Sequence, residues 1–377
     1  MKRIIFLGTI IISLVLFCCC DDRFNNRGIG IDNPAYQHDN EGPVLFWGSD
    51  SIGPFYAFAS DNIRHYLKNK KNRIKQICID GDDVYVLTTY NTEDEEKFVL
   101  WKNGEMLYDH LKDVFSGCFF INAYKGVLRL YSLIPNEFNV YDYYPQYWEN
   151  GNIYDIDLET TIYSSLPLFS QPQGVVRAYG NTYFIGFEWC VNGKLPCIWK
   201  NGEIIMHADD TLKTKKPAAG FYIENDTDIV LVNYVSKYEP GTDILRYIPA
   251  TYDKRGNIIY IYGDTALYHH SKWRYFMDAK YIRKYNNDVF LGCEENYTAR
   301  GYQPNVVVYK NEQEYCRKES CVLRGMTISN SIVYLAIIYL KSTGNEVQII
   351  KNGYPIITYT NGDVFGIATL PKRFAEK

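Results

Sequence analysis

The residues of this sequence that could do chemistry are few and widely spaced. Glu188, Asp243 and Glu294 are candidates for glycoside hydrolysis, which needs two carboxyl groups roughly 5–10 Å apart. His269-His270 is the only adjacent histidine pair, and no Cys-x-x-Cys or His-x-x-x-His spacing accompanies it, so neither a metal site nor a cofactor is predicted. A Gly-x-Ser-x-Gly nucleophile elbow is also missing. These observations favour a binding protein over an enzyme.

The composition describes a large globular chain rich in aromatic residues. Its 377 residues are 46% hydrophobic and 22% charged, which is sufficient for a sizeable buried core. The formal net charge of −4 gives no general attraction to nucleic acid. Aromatic residues make up 16% of the chain, including 35 Tyr, and this excess favours β-strands.

The N-terminus predicts export and lipid anchoring. A short basic start precedes the apolar run Ile4–Phe17, which is too short to span a bilayer comfortably and fits a signal-peptide core. The run ends in three consecutive cysteines and resembles a bacterial lipoprotein signal, which implies a lipid-modified cysteine as the first mature residue. The lipoprotein pattern has Leu at −3 and a small residue at −1, and it favours Cys19, with Cys20 as the alternative.

The residues after the lipidated cysteine predict a tether. Residues 1–18 form the predicted signal peptide, and residues 19–42 are polar and contain Gly, Asn and Pro, as flexible spacers do. Asp21-Asp22 resembles the surface-export signal of lipoproteins in Bacteroidetes-like bacteria. We therefore expect an outer-membrane lipoprotein that is either surface-exposed or periplasmic.

An internal repeat decides the domain organisation. The tetrapeptide Trp-Lys-Asn-Gly at 101–104 returns in exact or degenerate form along the whole chain, with anchors 41 to 57 residues apart. The anchors are Phe58, Trp101, Trp148, Trp199, Tyr252, Tyr309 and Ile350. Each Asn-Gly is flanked by β-rich runs and suits a tight hairpin turn, and a second hairpin lies upstream. One repeat is therefore one four-stranded propeller blade.

The two ends of the chain complement each other. Residues 363–370 are typical of the first strand of a blade, whereas the segment after residue 42 supplies strands two, three and four. Pairing them closes a ring and removes exposed sheet edges. The prediction is an all-β protein, a single propeller over 43–371 with a C-terminal tail at 372–377. We expect seven blades, with six or eight as alternatives.

This arrangement resembles the Trp-Lys-Asn-Gly repeat propellers of lipoproteins in gut Bacteroidetes-like bacteria. The resemblance covers residues 43–370 and implies the propeller fold. The motif consists of turn and core positions, and the family is largely uncharacterised, so the resemblance assigns no catalytic residue.

The cysteines outside the signal are compatible with disulfides, because an exported protein meets an oxidising environment. Cys190 and Cys197 flank one hairpin loop, and Cys316 and Cys321 bracket a short segment between blades. We predict a disulfide within each pair.

Long loops rich in aromatic residues predict the binding face. They join strand 2 to strand 3 of a blade, or strand 4 to the next blade, and planar rings with polar rims suit sugar rings and protein hot spots. The candidate ligand-binding residues are Tyr143, Tyr144, Trp189, Tyr268, His269, Trp273, Tyr297 and Tyr302.

The function favoured by these features is a lipid-anchored module that binds a glycan or a protein. Two alternatives stay open: a propeller-fold glycosidase or polysaccharide lyase, and a structural partner in an outer-membrane assembly. The expected partners are thus the ligand and the outer membrane, with no nucleic acid.

Overall fold

The computed structural model describes sixteen segments of the chain: 43–61, 63–67, 73–80, 83–91, 96–108, 119–124, 126–136, 139–158, 169–178, 181–190, 193–207, 220–223, 229–238, 245–262, 275–297 and 304–369. Every regular element in these segments is a β-strand. No helix within them is long and apolar enough to cross a membrane. Cys19 and the predicted signal and tether lie outside the described residues.

The 28 strands form seven groups of four. The chain begins with β1 (Val44–Ser49), β2 (Pro54–Phe58) and β3 (Arg64–Tyr66). Six complete groups follow: β4 (Arg73–Asp80), β5 (Asp83–Asn91), β6 (Glu96–Lys102), β7 (Glu105–Tyr108); β8 (Phe119–Tyr124), β9 (Val127–Asn136), β10 (Asn139–Glu149), β11 (Asn152–Asp155); β12 (Phe169–Ala178), β13 (Asn181–Cys190), β14 (Gly193–Lys200), β15 (Glu203–His207); β16 (Gly220–Ile223), β17 (Ile229–Tyr238), β18 (Leu245–Tyr252), β19 (Ile258–Ile261); β20 (Tyr275–Tyr285), β21 (Asp288–Tyr297), β22 (Asn305–Lys310), β23 (Gln313–Lys318); β24 (Cys321–Ser329), β25 (Ile332–Tyr339), β26 (Glu346–Lys351), β27 (Tyr354–Thr360). The last strand is β28 (Asp363–Thr369).

The protein is a seven-bladed β-propeller, which confirms the predicted fold class and blade number. Blade 1 has the strand order β28-β1-β2-β3, and blades 2 to 7 use the remaining groups in chain order. Strand 1 of each blade is innermost, and strand 4 is outermost. In blade 1 the C-terminal β28 pairs antiparallel with the N-terminal β1, from Val44 opposite Thr369 to Ser49 opposite Asp363. The predicted closure by both ends of the chain is therefore confirmed.

The hydrophobic core is divided into seven clusters, one at each contact between neighbouring blades. Trp101, for example, is 6% exposed in the cluster between blades 1 and 2, and its indole N–H donates to Thr88 Oγ1 at 2.9 Å. Trp199 is fully buried between blades 3 and 4. The aromatic anchors of the repeat are thus held in place by the adjacent blade, so each blade needs its neighbour in order to bury its surface.

The Asn of the repeated tetrapeptide connects the two turns of its blade. Asn103, Asn201, Asn311 and Asn352 all have positive φ angles, between 47° and 55°. In each case the side-chain Oδ1 accepts a hydrogen bond from a backbone N–H at the start of strand 2. The motif therefore recurs because one residue both closes the strand 3–4 turn and holds the strand 1–2 turn beside it.

A carboxylate organises the first loop of blade 1. Asp50 accepts hydrogen bonds from the backbone N–H groups of Ile52 and Gly53 and from the Tyr66 hydroxyl, and it forms an ion pair with Arg64 of β3. Burial alone would raise the pKa of Asp50, but the hydrogen bonds from Tyr66 and the two backbone groups outweigh burial and lower it.

Candidate functional site

The pairing of strands 1 and 2 defines two different faces of the ring. The first residue of an innermost strand lies opposite the last residues of strand 2, as Tyr275 lies opposite Tyr297 and Asp363 opposite Ser49. This side also carries the strand 2–3 connections and the connections between blades, and we call it the loop face. The opposite side carries the strand 1–2 and strand 3–4 turns, and we call it the turn face.

Four of the predicted ligand-binding residues lie in strands, in the halves nearest the loop face. Tyr143 and Tyr144 are in β10, opposite Pro135 and Ile134 of β9. Trp189 is next to the last residue of β13, and Tyr297 ends β21. Their roles in binding remain predictions. The other four candidates lie outside the described residues: Tyr268, His269, Trp273 and Tyr302.

The innermost strands of five blades contain a β-bulge towards the loop face. In each bulge the register with strand 2 skips one residue, and the ladder resumes with the next residue. The extra residues of the five bulges are Lys75, Gln173, Lys280, Arg324 and Phe365. Since an innermost strand has no neighbouring strand on the channel side, each bulge places its extra residue at the wall of the central channel. Three of the five extra residues are cationic and none is acidic.

A cluster of charged and aromatic residues lies at the channel mouth, on the side where blades 7, 1 and 2 meet. Arg324, Asp363 and Arg73 come from the innermost strands of these three blades in turn. The Arg73 guanidinium carbon lies 5.1 Å from the centre of the Phe365 ring, within cation–π range. Asp363 Oδ1 and Arg324 Nε are both buried without a hydrogen-bond partner. We call Arg73, Arg324, Asp363 and Phe365 the mouth cluster.

The charges of the mouth cluster influence one another. Burial raises the pKa of the Asp363 carboxyl, and the positive charges of Arg324 and Arg73 offset this rise only in part. Within the described residues, neither guanidinium forms a direct ion pair with a carboxylate. The cluster thus combines two arginines with one partly buried acid, and it lies on the same face as the predicted aromatic loops.

The carboxylate candidates Glu188 and Glu294 are both buried, and Glu294 connects two blades. Glu294 is 3% exposed; its Oε1 accepts the backbone N–H of Leu323 in the next blade at 2.8 Å, and its Oε2 lies 3.3 Å from Lys280 Nζ. Glu188 is fully buried and lies beside Cys197. The neighbouring Glu295 is also fully buried and pairs with Arg317 of β23. The third candidate, Asp243, lies outside the described residues.

The structure does not contain the predicted disulfides. The register of β13 and β14 pairs Cys190 with Gly193 and Cys197 with Gly186. The two cysteines are thus four residues apart along the ladder, roughly 13 Å, whereas a disulfide needs Cα atoms within about 7 Å. Cys197 is instead buried and is not part of a disulfide.

The second predicted disulfide, between Cys316 and Cys321, is also not formed, and both thiols are free. Cys316 belongs to the outermost strand of blade 6, whereas Cys321 begins the innermost strand of blade 7. The Cys321 thiol donates to the Lys318 carbonyl oxygen at 3.6 Å. Burial raises the pKa of Cys321 to about 12. Across the described residues, no group of three or more His, Cys, Asp or Glu is arranged to hold a metal ion.

Sequence reasoning missed the mouth cluster. Arg73, Arg324 and Asp363 are far apart in the chain, and no spacing connects them. The signal that could have indicated the cluster is a break in strand alternation. Arg324 is followed at once by Gly325, for which an added Cβ would lie 2.7 Å from Ile367 Cγ2 of blade 1. A glycine next to a charged residue in an inner strand is typical of a bulge at a close contact.

Comparison with known proteins finds solved structures of low sequence identity that resemble this chain. No protein-family model matches the chain, and no curated protein matches it. Among solved structures, the β-propeller domain of the Trilobed protease from Pyrococcus furiosus is 9% identical, with a TM-score of 0.41 over 76% of this chain and 82% of that one. A GH43 endo-arabinanase from Bacillus licheniformis is 11% identical, with a TM-score of 0.30 over 65% and 95%. A GH43_12 protein from a capybara gut metagenome is 12% identical, with a TM-score of 0.31 over 86% and 60%.

Proposed function

We propose that this protein is a lipid-anchored β-propeller of the cell envelope that binds a glycan or a protein through its loop face. The anchor is inferred from the N-terminal sequence, and the face from the aromatic loops and the position of the mouth cluster. The ring supplies a rigid support on which loops from seven blades surround one channel.

The burial of Glu188 and Glu294 is the observation that favours a binding function over glycoside hydrolysis. A general acid or base must reach the substrate directly or through one water molecule. Glu294 is occupied by Leu323 N–H and Lys280, and Glu188 is fully buried. Both carboxylates therefore serve the contacts between and within blades, which supports a binding role for this ring.

A glycan screen tests the binding role. The full chain, purified in detergent, is run by native electrophoresis through gels that contain single polysaccharides, and Trp189→Ala and Trp273→Ala are run beside it. We expect retardation by at least one glycan, and loss of retardation in at least one variant. Absence of retardation together with absence of any crosslinked envelope protein from whole cells would contradict the proposal. Release of reducing sugar, with loss of activity in Glu294→Gln, would instead identify an enzyme.

Labelling with radioactive palmitate tests the anchor. We expect label in the wild type and in Cys20→Ser, and none in Cys19→Ser. Label retained in Cys19→Ser but lost in Cys20→Ser would move the lipid to the alternative cysteine, and absence of label from all three proteins would remove the lipid anchor.

A further inference from the structure

We propose that the mouth cluster binds the carboxylate of an acidic sugar, with Arg73 and Arg324 as the recognising groups. This inference rests on the proposed binding function and specifies its ligand class. The innermost strands of three consecutive blades contribute the residues of the cluster.

The two arginines provide the charge and the geometry. A guanidinium presents N–H donors in a planar fork that matches a carboxylate, and neither guanidinium is already paired with a carboxylate of the described residues. Arg324 is placed at the channel wall by the bulge in β24, whereas Arg73 begins β4 and is exposed. Arg73 lies over Phe365 of β28, and Gly325, the residue after Arg324, packs against Ile367 and Gly366 of the same strand, so the two arginines flank β28 from either side.

Asp363 sets a limit on this charge. An ionised Asp363 reduces the net charge of the mouth cluster from two positive charges to one. Burial raises the pKa of Asp363, and the positive charges of Arg324 and Arg73 lower it in part. The cluster therefore keeps a net positive charge, and the Lys280–Glu294 pair beside it is neutral as a pair.

Phe365 favours a sugar acid over a small inorganic anion. The ring packs against the core between blades 1 and 2 but is partly exposed, and the Arg73 guanidinium carbon lies 5.1 Å from its centre, so an apolar ring lies next to a charged planar group. A uronic acid has the same two parts: a ring with an apolar face, and a carboxylate attached to that ring. Aromatic faces and arginines are the side chains that bind such groups.

The probe is polygalacturonate, compared with the same polymer after methyl esterification, which removes the charge and keeps the sugar. Affinity electrophoresis of the full chain in detergent compares the wild type, Arg73→Gln, Arg324→Gln and Arg255→Gln. Arg255 is an exposed arginine in the strand 3–4 turn of blade 5, on the turn face, and it serves as the control for net charge. Arg73 is exposed, so its variant tests the site even if Arg324→Gln folds poorly.

We expect polygalacturonate to retard the wild type and Arg255→Gln equally. Arg73→Gln and Arg324→Gln should each weaken binding about tenfold or more, since a charge-assisted hydrogen bond is lost. The methyl ester should bind weakly to all four proteins. Equal binding of the ester, or binding unchanged in Arg73→Gln, would overturn the inference. Equal retardation by polyglutamate would show charge attraction alone and would also overturn it. If polygalacturonate fails while another glycan or a protein binds, the inference fails and the proposed function stands.

Discussion

The turn asparagine of the repeat gives the sharpest prediction, because one residue makes a backbone hydrogen bond and two side-chain hydrogen bonds and also adopts a positive φ. In Asn201 the backbone N–H donates to the Thr182 carbonyl at 2.7 Å, Oδ1 accepts from Thr182 N–H at 2.9 Å, and Nδ2 donates to Asn181 Oδ1 at 2.7 Å. The residue also has a φ of 53°, which Asn tolerates better than Ala. Replacement by Ala keeps the backbone bond and removes the other contributions.

The expected cost follows from these contributions. Two lost side-chain hydrogen bonds cost about 1–3 kcal/mol together, and placing Ala in the left-handed region adds about 1 kcal/mol. Asn201→Ala should therefore lower the free energy of unfolding by about 2–4 kcal/mol. Asn201→Asp keeps the Oδ1 acceptor and loses only the Nδ2 donor, so its cost should be about 1 kcal/mol.

Asn286 offers a matched control within the same protein. It lies in the strand 1–2 turn of blade 6 with a φ of 54°, and its side chain has no hydrogen bond to another described residue. Asn286→Ala should therefore cost only the conformational part, about 1 kcal/mol. Urea denaturation followed by tryptophan fluorescence measures all three variants. If Asn201→Ala costs no more than Asn286→Ala, the Asn does not connect the two turns energetically, and our explanation of the repeat is wrong.

Three further predictions concern packing, acid stability and thiol reactivity. Gly366→Ala should destabilise the protein by about 3 kcal/mol or more, because the new Cβ would lie 2.2 Å from Cζ2 of the fully buried Trp47; an unchanged urea midpoint would contradict this contact. The pKa of Asp50 is below its ordinary value of 3.8 in the folded protein, so its stabilisation is present above that value and is lost as the pH falls through the lower, folded pKa. The wild type should thus lose stability more steeply below pH 4 than Asp50→Asn does, and parallel pH profiles would refute this. Burial raises the pKa of Cys321 to about 12, so very little of the reactive thiolate is present at pH 8. Iodoacetamide should therefore label Cys321 far more slowly in the native than in the denatured protein, as read by peptide mass spectrometry, and equal rates would contradict its burial.

The blade architecture could be predicted because the repeat encodes it locally. Each Asn-Gly turn, its flanking strands and its anchor lie within a few residues of one another, so sequence spacing translates directly into a hairpin. The turn after Tyr252, which is longer than the other repeat turns, shows that the hairpin also forms when the spacing changes. Asp253 Oδ1 there accepts the backbone N–H groups of Arg255 and Asn257, and Gly256 supplies the positive φ of 80°. A longer turn thus ends with the two strands still paired.

The site and the disulfides could not be predicted because they depend on register and on contacts between blades. Cys190 and Cys197 flank one loop in the sequence, but a two-residue connection sets their ladder positions four residues apart. The bulges could not be predicted for the same reason, since Lys280 is the extra residue of a bulge only because the register of β20 with β21 skips it. The sequence makes Glu294 a candidate acid, and only the contact with the next blade, through Leu323 N–H, explains its burial.

The position of the mouth cluster connects binding to closure of the ring. Asp363 and Phe365 belong to β28, which pairs with β1 and lies between the inner strands that carry Arg324 and Arg73. Detachment of β28 would therefore separate the members of the cluster as it opens the ring. A ligand that binds only the assembled cluster stabilises the closed form by about 2.7 kcal/mol at a free concentration one hundred times its Kd. The strand that closes the propeller is thus also the strand that any ligand of the mouth cluster would hold in place.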